Sequence, residues 1–193
     1  MTPFVTETAP ALKLSVANID TDQLIPARFM KEPRKPDGYG RFLLHDLMQE
    51  GDIARPAAGQ KIVVARRNFG CGSSREAAVY ALGDFGFRCI IAPSFGDIFA
   101  SNCVKNGIVP ATIDEADAEA LLAAGDLPMT VDLASQRITA GNVVVEFRID
   151  PVWKTQLLNG WDDIDLTLAE ADRIAAFVAR DATERDWAAP RRG

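Results

Sequence analysis

The side chains best suited to chemistry lie in one short polar stretch, NFGCGSSREAA, at residues 68–78. Its glycines allow a tight turn, and two hydroxyls and a guanidinium follow at Ser73, Ser74 and Arg75. Free amides at the start of a helix, together with an arginine fork, favour binding of a carboxylate. Ser73 could also act as a base, because nearby amides and the helix dipole reduce the cost of forming its alkoxide.

A purely structural explanation competes with this one. Ser73 and Glu76 have the spacing of a capping box, in which the two side chains satisfy backbone amides in the first turn of a helix. Such a cap stabilises a helix by about 1 kcal/mol and requires no ligand. Taken alone, the stretch is better explained by the cap than by an active site.

Several other kinds of active site fit the sequence poorly. Arg75 stands where a dinucleotide-binding fingerprint has its third glycine, and the lysine of a P-loop is missing. His45 is the one histidine, which gives little support to a Ser-His-Asp hydrolase or a histidine zinc site. Cys71, Cys89 and Cys103 form no C-x-x-C pair, so neither a disulfide framework nor a self-contained metal site is indicated.

Composition and charge narrow the class of protein. A chain of 193 residues, 48% hydrophobic and 25% charged, is typical of one soluble globular domain. The net charge of -6 disfavours nucleic acid as a partner, and no apolar run is long enough to span a membrane. The first residues lack the pattern of a secretory signal, so we predict a cytoplasmic location.

The elements around the polar stretch predict a parallel α/β sheet. Residues 61–65 and 88–92 are short buried strands, and residues 77–82 between them favour a helix. The order strand, glycine-rich turn, helix, strand is typical of a right-handed crossover. A second such unit follows, with a helix capped by Ser94 and running to about residue 106, and then a strand.

The remaining segments predict a mixed architecture within one domain that covers residues 1–193. A Gly-Asn turn within residues 129–149 indicates an antiparallel hairpin beside the parallel sheet. Prolines, glycines and charges at residues 31–40 predict an exposed loop. The other predicted elements are a strand at residues 13–18 and helices at residues 42–48, 114–124, 151–159 and 168–180.

Four segments together resemble the small-subunit family of 3-isopropylmalate dehydratases, in the aconitase superfamily. They are NIDTDQLIPARF (18–29), NFGCGSSRE (68–76), APSFGDIFASNCVKNGIVP (92–110) and LLNGWDDIDLTL (157–168). Their order and spacing match, and the resemblance covers a core of about residues 11–180, with a tail at residues 183–193 beyond it. It implies a swivelling β/β/α domain, with a parallel sheet, crossover helices and the antiparallel hairpin region.

The resemblance also implies an activity. The chain would be the small subunit of a two-chain hydro-lyase, inactive alone, that interconverts 2-isopropylmalate and 3-isopropylmalate in leucine biosynthesis. The enzyme removes water from its substrate and adds it back with the opposite regiochemistry. The 4Fe-4S cluster is expected on a large-subunit partner, with no cofactor or metal on this chain, and the substrate is a small dicarboxylate.

Roles for individual residues follow from the same likeness. Ser73 would be the general base, and Ser74 and Arg75 would hold a substrate carboxylate. Asp22 matches an acidic active-site residue of the superfamily. Arg28 lies where the superfamily tends to place an arginine that faces substrate.

Two features leave the exact substrate open. Residues 31–40 fall where the family has its substrate-recognition loop, so Lys31, Arg34 and Lys35 could face substrate, although a solvated charged turn explains them equally well. Ala77 stands where the family motif has a histidine. The alternatives are a related hydro-lyase acting on a methyl- or dimethyl-malate or a homoaconitate-like acid, and a non-catalytic module that binds organic anions.

Overall fold

A computed structural model describes residues 1–31, 33–34 and 38–188 of the chain. The strands are β1 (Thr6–Ala9), β2 (Ala11–Leu14), β3 (Ile62–Ala65), β4 (Cys89–Ala92), β5 (Val109–Thr112), β6 (Met129–Asp132), β7 (Arg137–Ala140) and β8 (Val143–Glu146). The α-helices are α1 (Thr21–Leu24), α2 (His45–Glu50), α3 (Glu76–Phe85), α4 (Asp97–Lys105), α5 (Glu115–Ala123), α6 (Pro151–Asn159), α7 (Asp163–Ala169) and α8 (Ala171–Glu184). Short 3₁₀ turns lie at Ala27–Lys31, Gly40–Phe42 and Asp186–Ala188.

The strands form two four-stranded sheets. The first is parallel, in the order β2-β3-β4-β5, and α3 and α4 connect successive strands within it. The second is antiparallel, in the order β1-β6-β7-β8, and includes the hairpin of β7 and β8. The predicted fold class, a parallel sheet with crossover helices beside an antiparallel hairpin region, is confirmed.

Both faces of the parallel sheet are buried. Along β3, Val63 and Ala65 join a cluster with residues of α1, α2 and α3, whereas Ile62 and Val64 join a cluster with the antiparallel sheet. Successive side chains of a strand point to opposite faces, so a strand covered on both sides must be apolar throughout. This explains why the strands at residues 61–65 and 88–92 could be predicted from their continuous apolar sequence.

The helix expected at residues 42–48 is wrong as a single element. The chain makes a 3₁₀ turn at Gly40–Phe42, and α2 begins only at His45. Between them Leu44 has a φ of 56°, and its amide donates to the carbonyl of Leu24 at 2.9 Å. Leu44 is fully buried, so a tertiary contact interrupts a segment that has helical spacing.

Two helix caps suggested by the sequence, at Ser73 and Ser94, are also wrong, although both helices are present. Helix α3 begins at Glu76 with Arg75 as its N-cap, so Ser73 and Glu76 do not form a capping box. Helix α4 begins after Gly96 rather than at Ser94, whose hydroxyl instead accepts a hydrogen bond from the amide of Asn68 at 2.8 Å. In both places a loop hydrogen-bonded to neighbouring segments precedes the helix.

The carboxyl-terminal helices differ from the single helix expected at residues 168–180. Asp162 caps α7, and α8 then runs to Glu184. Neither helix contains a buried residue, and the side chains of Ile164, Leu168 and Phe177 are exposed. Within the described part of the chain, we find no helix with the length and apolar character needed to cross a membrane.

Candidate active site

The predicted site residues lie in the segments that follow the carboxyl ends of β2 and β3, and the loop that follows β4 lies beside them. These loops are hydrogen-bonded side by side. The amide of Thr21 donates to Cys71 O at 3.0 Å, and the amide of Gly70 donates to Ile19 O at 2.7 Å. The amide of Gly96 donates to Phe69 O at 3.0 Å. Open α/β sheets commonly bind ligands at this edge.

Two glycines allow the loops to approach this closely. Gly70 has a φ of 70°, and a Cβ added there would lie 2.2 Å from the ring of Phe99. A Cβ on Gly96 would lie 2.6 Å from the carbonyl oxygen of Gly70. Because neither position has room for a side chain, the sequence requires glycine at both.

An ion pair joins the two segments that carry the predicted site. Asp20 caps α1 through a capping box, with its Oδ1 2.8 Å from the amide of Gln23. The short helix presents Asp22 at the surface, where a carboxylate oxygen accepts a hydrogen bond from Arg75 Nη1. The side chain of Arg75 is 27% exposed and that of Asp22 is 53% exposed. The pair is therefore accessible to a ligand.

The two serines lie in the turn immediately before α3. Ser73 and Ser74 are both exposed, and Gly72 before them has a φ of 89°. Neither hydroxyl makes a hydrogen bond to another residue that the structure describes. The structure thus brings Ser73, Ser74, Arg75 and Asp22 to one place, with both hydroxyls available.

Arg28 has a different partner. It lies in the 3₁₀ turn Ala27–Lys31, and its Nη1 donates to Asp46 Oδ2 at 2.9 Å. The hydrogen bond from Arg28, joined by one from His45, lowers the pKa of Asp46 to about 2. The guanidinium also lies 4.6 Å from the centre of the Phe29 ring. Within the described residues, no hydrogen bond links this group to Arg75 or Asp22.

The three loop residues have different positions. Lys31 is exposed at the end of its 3₁₀ turn. Arg34 donates from Nε to Asp84 Oδ2 at 3.0 Å and lies over the ring of Tyr80, so it is attached to α3. Lys35 lies outside the described residues.

Sequence reasoning missed Asp84, which accepts hydrogen bonds from both Arg34 and the amide of Tyr39. It also missed Glu76 as a side-chain partner of Asn106, at 3.1 Å. A signal was available on α3, because Glu76, Tyr80 and Asp84 are spaced four apart and therefore share one face of the helix.

The cysteines are poorly placed to ligate a metal. Cys89 and Cys103 are fully buried in the core, and burial raises the pKa of both thiols. Burial and the charge of Asp20 also raise the pKa of Cys71, which is half-buried. Over residues 1–31, 33–34 and 38–188, no three histidine, cysteine or acidic side chains cluster in a way that could hold a metal ion. The residues that the structure describes therefore do not fit an iron-sulfur cluster.

A separate cleft of about 400 Å³ lies next to α5 and does not include the serines. Two arginines line the cleft, but each forms an ion pair with a glutamate of α5. Arg66 makes a two-point contact with Glu119 at 2.8 and 2.9 Å, and Arg67 lies 3.7 Å from Glu115. Ser73, Ser74 and Arg75 do not line this cleft.

The two sheets and the serine-serine-arginine loop at the edge of the parallel sheet define an aconitase-type swivelling domain. The family model of the aconitase C-terminal domain matches residues 48–116. Relatives that match over nearly the whole of both chains then show the family: the chain belongs to the 3-isopropylmalate dehydratase small-subunit family.

Two of these relatives are 3-isopropylmalate dehydratase small subunits. The protein from Rhodospirillum centenum is 44% identical over 97% of this chain and 99% of its own length. The protein from Geobacillus kaustophilus is 44% identical over 93% of this chain and 98% of its own length. These matches confirm the resemblance seen in the four sequence segments.

A solved structure supports the fold. The crystal structure of 3-isopropylmalate dehydratase from Methanocaldococcus jannaschii matches with a TM-score of 0.68. The match covers 89% of this chain and 98% of that one, at 23% sequence identity. At this identity the likeness shows a shared fold alone.

Proposed function

We propose that this chain is the small subunit of a 3-isopropylmalate dehydratase. In leucine biosynthesis that enzyme interconverts 2-isopropylmalate and 3-isopropylmalate. Relatives that match the chain over nearly its whole length bear this name. The observation that carries the assignment to particular residues is the ion pair of Arg75 with Asp22, beside the exposed residues Ser73 and Ser74.

Ser73 is the proposed general base. Its Oγ takes a proton from the carbon next to a substrate carboxylate, and the C–O bond at the neighbouring carbon breaks as hydroxide leaves. Hydroxide then adds to the carbon that lost the proton, and the proton held by Ser73 goes to the carbon that lost the hydroxyl, which gives the isomer and restores the base. A positioned base of this kind typically contributes 10²- to 10⁴-fold in rate.

Arg75 and Ser74 are the proposed carboxylate-binding groups. A guanidinium has five N–H donors, and Asp22 accepts from Nη1 alone, which leaves donors for a substrate carboxylate. The contact with Asp22 holds the arginine in one orientation before substrate arrives. Asp22 therefore acts on substrate through Arg75. An arginine that is already oriented loses less side-chain entropy when it binds the substrate carboxylate.

Arg28 is proposed as an additional substrate-facing residue. Its present partner, Asp46, is a surface carboxylate, and such exposed pairs contribute little to stability. Exchange of Asp46 for a substrate carboxylate would therefore cost little. We also propose that Lys31, Arg34 and Lys35 belong to a substrate-recognition loop.

The cofactor is proposed to lie on another chain. Membership of the aconitase superfamily suggests a 4Fe-4S cluster in the enzyme, and such a cluster supplies a Lewis acid for a departing hydroxyl. Since the described residues of this chain do not fit a cluster, we place it on the large subunit. The steps assigned to this chain are proton transfer and carboxylate binding.

A large subunit is the proposed partner. The serines and Arg75 lie on an open surface, so a second chain is needed to close the site over a small dicarboxylate and exclude water. We further propose that the chain acts as a single domain in the cytoplasm, without nucleic acid or membrane partners.

Coexpression with an aconitase-like large subunit tests the proposal. The complex is expected to convert 2-isopropylmalate to its isomer, and the isolated chain is not. A panel with methyl- and dimethyl-malates and homoaconitate-like acids determines the substrate, and turnover of one of these instead of isopropylmalate would contradict the assignment. Strong dicarboxylate binding by the isolated chain, with no turnover by the complex, would indicate a binding module.

A further inference from the structure

We propose that Asp84, near the end of α3, positions the substrate-recognition loop and thereby sets which substituted malate the enzyme accepts. The inference rests on the proposed function, since it takes residues 31–40 as the loop that faces substrate. Asp84 itself is a positioning residue, because its contacts are to the loop.

The carboxylate of Asp84 binds both sides of the loop. Arg34 donates to it from Nε at 3.0 Å and also from Nη2, which makes a two-point contact. On the far side of the loop, the amide of Tyr39 donates to Oδ2 at 2.7 Å. One side chain of α3 therefore fixes two loop positions.

Backbone packing strengthens this attachment. Gly38 has a φ of 65°, and a Cβ added there would lie 2.2 Å from Asp84 Oδ2. The loop backbone thus rests directly on the carboxylate. The side chain of Asp84 is only 15% exposed, so water competes less for its hydrogen bonds than at an open surface pair.

The attachment continues along α3 to the proposed active site. The guanidinium of Arg34 lies 4.3 Å from the centre of the Tyr80 ring, and Tyr80 lies one helical turn from Glu76 on the same face of α3. Glu76 accepts a hydrogen bond from Asn106, which caps the end of α4, and directly follows Arg75 in the chain. The face of α3 that holds the loop therefore ends beside the residue proposed to bind substrate carboxylate.

This geometry assigns Arg34 a particular part in the loop. Its Nε and Nη2 donors are used by Asp84, and the face of its guanidinium is covered by Tyr80. Arg34 therefore anchors the loop to α3. The specificity of the loop then depends on where this anchor holds it.

Amide hydrogen exchange in the full-length chain tests the anchor without reference to activity. Asp84→Ala removes the three hydrogen bonds that Asp84 accepts from Arg34 and the Tyr39 amide. Asp84→Asn keeps one acceptor for the Tyr39 amide but loses the charged two-point contact with Arg34. The hydrogen-exchange rate of the Tyr39 amide is measured by NMR. We expect this rate to increase about tenfold or more in the alanine variant. The asparagine variant is expected to lie between it and wild type.

Kinetics of the complex with the large subunit test the consequence for specificity. The substrate preference is the ratio of kcat/KM for 2-isopropylmalate to kcat/KM for a methyl-malate. We expect this ratio to change about tenfold in Asp84→Asn. The change is expected mainly in KM, with kcat within about threefold of wild type. Glu119→Gln is the matched control, because it breaks a similar two-point arginine contact on α5, away from the loop. It should leave both the Tyr39 exchange and the substrate preference unchanged.

Each outcome is decisive. Unchanged Tyr39 exchange in both Asp84 variants would overturn the anchor, and faster exchange with unchanged substrate preference would overturn the specificity claim. Should an Asp84 variant fail to fold, Arg34→Gln tests the same contact from the loop side. A wild-type complex with no turnover of any malate would overturn the proposed function and the specificity claim together, whereas a Tyr39 exchange difference would still support the anchor.

Discussion

Arg75 donates a hydrogen bond to Asp22, although the two residues lie 53 positions apart in the chain. The contact crosses from the loop after β3 to the helix after β2, at the edge of the parallel sheet. Backbone hydrogen bonds between Thr21 and Cys71, and between Gly70 and Ile19, bring the two loops together first. The ion pair therefore depends on the sheet for its geometry.

Loss of this ion pair is expected to weaken substrate binding. In Asp22→Asn, Arg75 keeps a neutral partner but loses the charge that orients it, so we expect kcat/KM of the complex to fall about tenfold, mainly through KM. That loss corresponds to about 1.4 kcal/mol. Because the pair is half exposed, the free energy of unfolding should change by less than about 1 kcal/mol.

Asp114→Asn is the control for that experiment. This variant breaks a surface ion pair on a different part of the molecule, in which Asp114 Oδ1 lies 2.9 Å from Arg148 Nη2. Its kinetics should match wild type. Equal kinetics for the Asp22 and Asp114 variants would show that the ion pair with Arg75 has no part in substrate binding.

A side chain at Gly70 is expected to destabilise the fold at the site. Gly70→Ala places a methyl group into the Phe99 ring and forces alanine into a left-handed conformation. The two costs together should lower the free energy of unfolding by roughly 3 kcal/mol. Chemical denaturation of the isolated chain measures the change.

Gly51→Ala separates the two costs. Gly51 also has a positive φ, of 83°, but a Cβ there meets nothing within 4 Å. Only the conformational cost applies, so the expected loss is about 1 kcal/mol. If both alanine variants lost the same stability, close packing of Gly70 on Phe99 would not be the reason for glycine there.

The pair of Arg28 and Asp46 predicts a pH dependence. Hydrogen bonds from Arg28 and then His45 lower the pKa of Asp46 from 3.8 to about 2. A carboxyl with a lowered pKa in the folded state contributes stability above its ordinary pKa. That contribution is lost as the pH falls from about 4 towards 2.

An NMR titration of the Asp46 carboxyl checks this directly. In Arg28→Gln, the pKa of Asp46 should rise towards its ordinary value, and added salt should raise it in the wild type. The Arg173→Gln variant, on α8, provides a control in which the Asp46 titration stays unchanged. An Asp46 pKa that is the same with and without Arg28 would contradict the contact.

Much of the sheet could be predicted because its strands are buried on both faces. Strands β3 and β4 are continuous apolar runs, and glycine-rich or polar segments mark their ends. Strand β1 was missed because it is an edge strand in which Ala9 is the one buried residue. With little burial, its sequence carries no periodic pattern.

The starts of helices were harder to predict than their interiors. The hydrogen bond from Leu44 to Leu24 interrupts a helical pattern, and no local feature of residues 42–48 reveals that contact. Likewise, Glu76 has the spacing of a capping partner for Ser73, but its side chain instead accepts a hydrogen bond from Asn106, at the end of α4. Tertiary contacts override local preference at both places.

The site could be predicted in part. The polar stretch indicated an anion site from residue types alone, whereas the roles of Asp22 and Arg28 followed from the family resemblance. Asp84 was missed because its partner Arg34 lies 50 positions away and nothing in the sequence pairs them. The meeting of Asp22 with Arg75 likewise required the fold.

The most direct test of the central claim, that Ser73 removes the substrate proton, is the turnover of a Ser73→Ala complex with the large subunit. Ser135→Ala, at an exposed turn away from the site, is the matched control and should behave as wild type. We predict that kcat falls by about 10³-fold in Ser73→Ala while KM stays within a few-fold, because Arg75 still binds the carboxylate. A kcat within tenfold of wild type would contradict the assignment of Ser73 as the base.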